Sequence, residues 1–243
     1  MDPNGKIALV TGAGRRVGRA LALALGDAGC RVAVHYGQSE QDANETAALI
    51  QSMGSEAITV QADLEDPKQV ASLAESVRDQ LGPIEILINN ASIFDKINLD
   101  DTSVDDWDRH LAINLRAPFL LAQAMQAQLG DDSHGKIISL NDWRTARPAR
   151  FAYGVSKTAL SGLTRTLALS MAPNVQANEI SLGAILPPSD IPADRPRGEI
   201  KINLGPAARM GSLNEVADTM MMLVQNDFIT GETINVDGGR HVH

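Results

Sequence analysis

A tyrosine and a lysine four residues apart, in Tyr153-Gly154-Val155-Ser156-Lys157, are the residues of this chain best suited to chemistry. On a helix, positions i and i+4 share a face, which places an ammonium beside a phenol. A neighbouring cation favours the phenolate and draws a tyrosine pKa below its ordinary value of about 10, so Tyr153 is expected to donate a proton near neutral pH. The spacing alone is common in helices. It gains weight from a second motif, in which Lys6-Ile7-Ala8-Leu9-Val10 runs into Thr11-Gly12-Ala13-Gly14-Arg15-Arg16-Val17-Gly18. The apolar run reads as a buried parallel strand, and the glycine-rich turn opens a helix at 17–28. Glycines permit a tight turn and bring backbone amides close to a phosphate, which the helix N-terminus also attracts. Strand, glycine-rich turn and helix in this order point to nucleotide binding; a turn with ordinary cap glycines is the plainer alternative.

The elements that must position these motifs alternate along the chain. Strands are predicted at 6–11, 31–36, 57–61, 84–88, 135–139, 175–180 and 232–236, with helical patterns near 17–28, 41–53, 67–81, 104–129, 154–172 and 213–226. Such alternation implies an α/β fold with a parallel sheet covered on both faces. No linker or composition break separates two domains, so residues 1–243 are read as one. The irregular stretch 184–206 holds Pro187, Pro188, Pro192, Pro196 and Pro206. A loop that long in a compact domain is usually a lid or binding loop, the alternative being a surface insertion.

Composition narrows the class of function. A net charge of −9 argues against nucleic-acid binding through a basic surface. The single cysteine, Cys30, cannot close an intrachain disulfide, which fits a reducing cytosol. No stretch approaches the roughly 18 apolar residues of a membrane span, and 1–5 lacks the regions of a signal peptide. A soluble cytoplasmic protein is expected, acting on a small molecule, with no nucleic-acid or membrane partner. His110, His134, His241 and His243 show no metal-ligand spacing, so no metal site is expected. Met220, Met221 and Met222 read as a buried helix face.

Taken in order, TGAGRRVG (11–18), Gln61-Ala62-Asp63-Leu64, Asn89-Asn90-Ala91-Ser92, Asn114, YGVSK (153–157) and Asn235-Val236-Asp237-Gly238-Gly239 resemble the short-chain dehydrogenase/reductases over essentially the full length. The resemblance implies a single-domain doubly wound parallel sheet (Rossmann) with helices on both faces, a nicotinamide cofactor and a homotetramer. It implies Tyr153 as proton donor, Lys157 holding the nicotinamide ribose and Asn114 anchoring a proton-relay water. Asp63 would contact adenine, and Asn89 and Ala91 would line the ribose. The cofactor site would further include Gly12, Gly14, Val17 and Gly18 of the turn, with Tyr36 and Ser39 beyond the second strand. Leu64, Asn90, Ser92, Ser139 and Gly183 complete it.

Charge bears on which nicotinamide cofactor is used. A site for NAD ends its second strand with an acid that bonds the adenosine 2′-hydroxyl, but here that strand ends His35-Tyr36-Gly37-Gln38-Ser39. Arg15 and Arg16 stand in the phosphate turn, where a 2′-phosphate needs guanidinium partners; solvated loop arginines are the alternative. The balance predicts NADP(H). Arg16 also replaces a glycine of the usual family turn. His35 is read as following the strand and supporting the cofactor edge.

Two departures from the family narrow the substrate. The family places a serine thirteen residues before the tyrosine, where this chain has Leu140; the nearest polar candidates are Asp142 and Asn141. An aspartate here, with the arginine after the first glycines, the His35-Tyr36 pair and the Asp-Gly-Gly-Arg-His ending (237–241), resembles the pteridine reductases and bacterial dihydromonapterin reductases. In that subgroup an aromatic stacks the pterin on the nicotinamide, and Phe94 fits the place. Reducing a C=N bond needs hydride at carbon and a proton at nitrogen, and a carboxylate suits pterin N–H groups or a proton relay. A serine hydroxyl instead suits a carbonyl oxygen. Asp142 as a turn residue after the fifth strand is the plain alternative. Ser139 is read as a strand end that could face the site, and Trp143 as a pocket wall or a residue packed under the lid. Gly183 is read as allowing close cofactor approach, with Leu182 where the family has proline. The expected activity is NADPH-dependent reduction of a pterin such as dihydromonapterin, dihydrobiopterin or dihydrofolate. A general carbonyl reductase, such as a 3-oxoacyl reductase or sugar alcohol dehydrogenase, is the second reading, and a nucleotide-sensing protein without catalysis the third.

Overall fold

The inner strands carry runs of Ile, Leu, Val and Ala and show no exposed residue, as a strand covered on both faces requires. The computed structural model describes residues 1–130, 132–187 and 204–242. In chain order the elements are β1 (Ile7–Val10), α1 (Arg16–Asp27), β2 (Arg31–Tyr36), α2 (Glu40–Ser52), β3 (Ala57–Gln61), α3 (Pro67–Gln80), β4 (Ile86–Asn89), α4 (Val104–Leu111), α5 (Ala117–Gln128), β5 (Gly135–Asp142), α6 (Phe151–Ser170), β6 (Val175–Leu182), α7 (Leu213–Gln225) and β7 (Thr233–Val236). The strands form one sheet in the order β3-β2-β1-β4-β5-β6-β7, and all six pairings are parallel. This is the doubly wound α/β domain that the alternation implies.

Because successive strand residues face opposite sides, the sheet divides the core in two. Ala8, Val10, Ile86, Ile88, Ile138 and Leu140 pack with α1, α2 and α7. Leu9, Leu87 and Ile137 pack with α3, α5 and the end of α6. The chain order reverses between β1 and β4, and ligands of open α/β sheets bind in the crevice beyond the strand ends at such a switch point. The turn after β1 and the segment after β4 meet there.

Several expected boundaries move. The single helix expected at 104–129 is α4 and α5 joined by a π-helical turn, Ala112–Arg116. The wider turn holds the buried Asn114, and such bulges recur at functional sites. Strand β5 does not end at Ser139 but continues to Asp142, because β6 continues beside it to Leu182. Helix α6 starts three residues early, at Phe151. Of the three methionines expected on a buried face, Met220 is fully buried, Met221 partly so, and Met222 is exposed. The lid expected at 184–206 falls mostly outside the described residues; at its edges Ile185 is buried and Gly211 N–H bonds the Ala184 carbonyl. Among the described residues no helix is long and apolar enough to cross a membrane.

Candidate active site

The glycine-rich turn is bare backbone by steric necessity. Gly12 is left-handed, with φ 63°. A Cβ at Gly18 would collide with the Gly12 carbonyl oxygen, and one at Gly14 would lie 3.1 Å from the Ala43 nitrogen. Helix α1 then begins at Arg16 with no side chain capping it, which leaves the amides of its first turn, Val17 among them, open to an anion. Thr11, the first residue of the motif, ties this turn to the end of β4. Its hydroxyl accepts from Asn90 N–H (2.9 Å) and Ala91 N–H (3.0 Å) and donates to the Ile88 carbonyl. The Asn90 amide reaches back to the carbonyls of Thr11 and Gly12. Asn89 donates to Ser139, while its buried Oδ1 has no partner. The cradle therefore fits a dinucleotide: no side chain crowds the phosphate turn, and an acceptor waits unfilled beside it.

The expected cofactor residues take several unexpected roles. His35 lies inside β2, not after it, and is buried. Its Nδ1 accepts from Gly12 N–H at 3.0 Å while Nε2–H donates to the Ala62 carbonyl at 3.1 Å. Burial draws its pKa down to about 4, so the ring is a neutral brace under the turn. Tyr36 packs against the core at the end of β2, and Ser39 begins α2 beside Gly14. Arg15 is already partnered by Asp42 at 3.3 Å. Arg16 sits in the left-handed region, φ 54°, which accounts for the glycine usual at this place, and donates to the Pro187 carbonyl. Asp63 and Ser92 are exposed and Leu64 is buried beside Ala62. Gly183 does approach another backbone closely, but it is that of Asp237 in its own chain.

At the far side of the crevice Tyr153 meets Asp142. The phenol donates to Asp142 Oδ2 at 3.1 Å, and one Arg147 nitrogen bridges both carboxylate oxygens at 2.7 and 2.8 Å. Asn141 is committed elsewhere, to the Lys157 carbonyl and the Ser161 hydroxyl. Asp142 is at once a turn former, accepting from Arg144 N–H, and the acid at the tyrosine. The expectation that Lys157 draws the tyrosine pKa down is corrected. The Lys157 ammonium is buried and donates to the Leu140 carbonyl at 2.8 Å. Burial raises the Tyr153 pKa well above its ordinary range, the charge and hydrogen bond of Asp142 raise it further, and Arg147 and Arg150 oppose them. Lys157 itself is drawn down to about 8 by burial, against the charges of Glu179 and Asp142.

Phe94 packs edge-on against Tyr153, with ring centroids 4.5 Å apart. The Arg150 guanidinium lies 3.5 Å over the Phe94 ring and bonds its carbonyl. Asn114 accepts from Ile93 N–H (3.0 Å) and donates to the Ile93 carbonyl and to Ser156, so it holds the Phe94 segment against α6. Trp143 is half-buried, with Arg240 4.3 Å over its ring. The arginines were missed in the sequence, although three of them in seven residues, Arg144 to Arg150, stand out in an acidic chain.

This fold, glycine turn and Tyr153–Lys157 pair define a short-chain dehydrogenase/reductase, and the chain belongs to that family of oxidoreductases. A family profile described as enoyl-(acyl carrier protein) reductase matches residues 12–241. The chain is similar to a 3-oxoacyl-[acyl-carrier-protein] reductase of Synechocystis, with 34% identity over 96% of both chains. Among solved structures it is similar to FolM alternative dihydrofolate reductase 1 from Brucella canis complexed with NADP. That match has 35% identity and a TM-score of 0.91, covering 100% of this chain and 96% of that one. The Brucella suis protein of the same name, in complex with NADP, is 35% identical with a TM-score of 0.88, covering 98% and 96%.

Proposed function

We propose that this protein is an NADPH-dependent reductase that reduces a C=N bond of a pterin, such as dihydromonapterin, dihydrobiopterin or dihydrofolate. The observation that carries the reading is Asp142 Oδ2 at 3.1 Å from the Tyr153 oxygen. A carbonyl reductase of this family needs a hydroxyl near that place, and Leu140 has none. The NADP-bound Brucella structures support both cofactor and substrate class.

Bound in the crevice, NADPH supplies the hydride. Gly12, Gly14 and Gly18 keep the phosphate turn bare, the first amides of α1 would receive the pyrophosphate, and Arg15 and Arg16 would offer cations to the 2′-phosphate. Phe94 forms the flat wall on which a heteroaromatic ring stacks. Asp142, gripped by Arg147, accepts the amino and ring N–H groups of the pterin and relays the proton that the ring nitrogen takes up. Tyr153 is the donor behind it. Lys157 is anchored to the Leu140 carbonyl of β5 and would hold the nicotinamide ribose, and Asn114 fixes the Phe94 segment. The family resemblance adds a homotetramer, for which exposed Phe119 on α5 and Leu169 on α6 offer apolar surface, and the composition points to the cytoplasm.

A second reading, a 3-oxoacyl reductase, is favoured by the Synechocystis relative. NADPH consumption with the three dihydropterins and a 3-oxoacyl thioester separates the two. Turnover of a pterin is expected; turnover of the thioester alone overturns the pterin reading.

A further inference from the structure

Beyond the reacting groups, arginines gather at the mouth of the site. Arg144, Arg147 and Arg150 come from the loop between β5 and α6, and Arg240 comes from the turn after β7. Two carboxylates lie within electrostatic reach of Arg240, those of Asp142 and Asp237. Both are occupied. Asp142 is taken by Arg147, Tyr153 and the Arg144 amide. Asp237 is taken by the amides of Gly239 and His241 and by the His241 ring.

Arg240 itself is half-buried on the face of Trp143, and among the described residues its guanidinium has no hydrogen bond and no ion pair. Burial, and then the charge of Arg147, pull its pKa below the ordinary range. The neighbouring donors are also unfilled. Of the five buried side-chain atoms without a partner among the described residues, three are the N–H donors Trp143 Nε1, Arg147 Nε and Arg240 Nε. Leaving a buried donor unmade is costly, and a charged one more so. Three such donors, on the stacked pair and on the arginine beside it, have no acceptor among the described residues, and an oxyanion would supply one. Stacking on an indole also preorganises a guanidinium for planar recognition of an oxyanion.

We infer that Trp143, Arg147 and Arg240 form a subsite for an anionic group, carboxylate or phosphate, carried on the substrate's side chain beyond its reacting ring. The subsite adjoins Asp142, so ring and anion can be held at once, and the inference rests on the pterin reading for the identity of the ring. It predicts that substrates with an acidic tail are preferred over those with a neutral one.

The test uses the NADP-loaded enzyme in a Trp107→Phe background, which leaves Trp143 as the sole indole. Addition of 4-aminobenzoylglutamate or of inorganic phosphate is expected to quench Trp143 fluorescence saturably, and the tighter of the two identifies the oxyanion. Arg240→Ala is expected to weaken that binding roughly tenfold, with Arg240→Lys recovering part of it. Arg240→Gln, which keeps the planar stack, serves if the alanine variant does not fold. In turnover, Arg240→Ala should raise KM for dihydrofolate roughly tenfold at constant kcat and leave dihydromonapterin, whose side chain is uncharged, unchanged. Quenching that is absent or indifferent to Arg240, or equal losses on neutral and acidic substrates, overturns the subsite. If no pterin is turned over, the functional reading fails, and the fluorescence titration still decides the subsite by itself.

Discussion

Asp142→Asn removes one charge and almost no volume from the centre of the site, which makes it the sharpest probe of how the site works. Asparagine keeps one neutral acceptor oxygen in place of two charged ones, so its bonds to Arg147 and Tyr153 lose their charge assistance. The Asp142 and Arg147 side chains are 13% and 26% exposed, so water recovers part of what Arg147 loses. Losing a charge-assisted bond in this setting costs about 1–2 kcal/mol. For a chain of this size that lowers Tm by about 2–8 °C. The carboxylate ranks just after burial among the causes that raise the Tyr153 pKa, so the variant's tyrosine should titrate lower than the parent's, though burial keeps it above the ordinary range. Turnover of the pterin should fall about a hundredfold, as loss of a positioned proton relay does. Calorimetry, ultraviolet titration of the phenol and steady-state NADPH oxidation read the three effects separately. A variant whose pterin turnover stays within about threefold of the parent would remove Asp142 from the chemistry.

Two further outcomes follow from the same geometry. Gly18→Ala drives a Cβ into the Gly12 carbonyl and the Asn90 amide; an overpacked site of this kind costs about 1–3 kcal/mol, and NADPH affinity measured by fluorescence titration should drop with it. Unchanged affinity would mean the turn does not meet the cofactor. Lys157 titrates at about 8 in the fold against an ordinary 10.5. Between those values the unfolded chain binds more protons, so stability contributed by this residue rises as pH climbs from 8 to 10.5, by about 3 kcal/mol in all. In Lys157→Met that rise should vanish from urea midpoints taken across the window; parallel curves for parent and variant would refute it.

Much of this protein is legible in local pattern. Strand β1 is a short apolar run, α1 follows a turn in which Gly18 has no room for a side chain, and the alternation of periods two and 3.6 dictates a parallel sheet. These are consequences of backbone sterics and burial, which act within a few residues. The break between α4 and α5 was invisible because a single π-helical turn carries no residue signature of its own, and its one-residue shift of the apolar face is too short to read from pattern. The role of His35 was hidden for a related reason: nothing in His35-Tyr36 reveals that the ring closes onto Gly12 N–H, a residue 23 positions earlier.

The sequence by itself determined that Tyr153 and Lys157 share a helix and that no serine stands at the family's place before the tyrosine; the fold chose Asp142 over Asn141 as the acid that meets it. It did not determine where the lysine's charge goes. A helix sets which side a residue occupies, while a buried ammonium turns toward whatever acceptor the packing provides, here the Leu140 carbonyl of β5. The tyrosine's electrostatics were thereby handed to Asp142, Arg147 and Arg150. Arg240 reaches the same mouth from the opposite end of the chain, and only the closing of β7 against β6 brings it onto Trp143. Charges act through space across the few ångströms that the fold sets, so their partners belong to the tertiary structure.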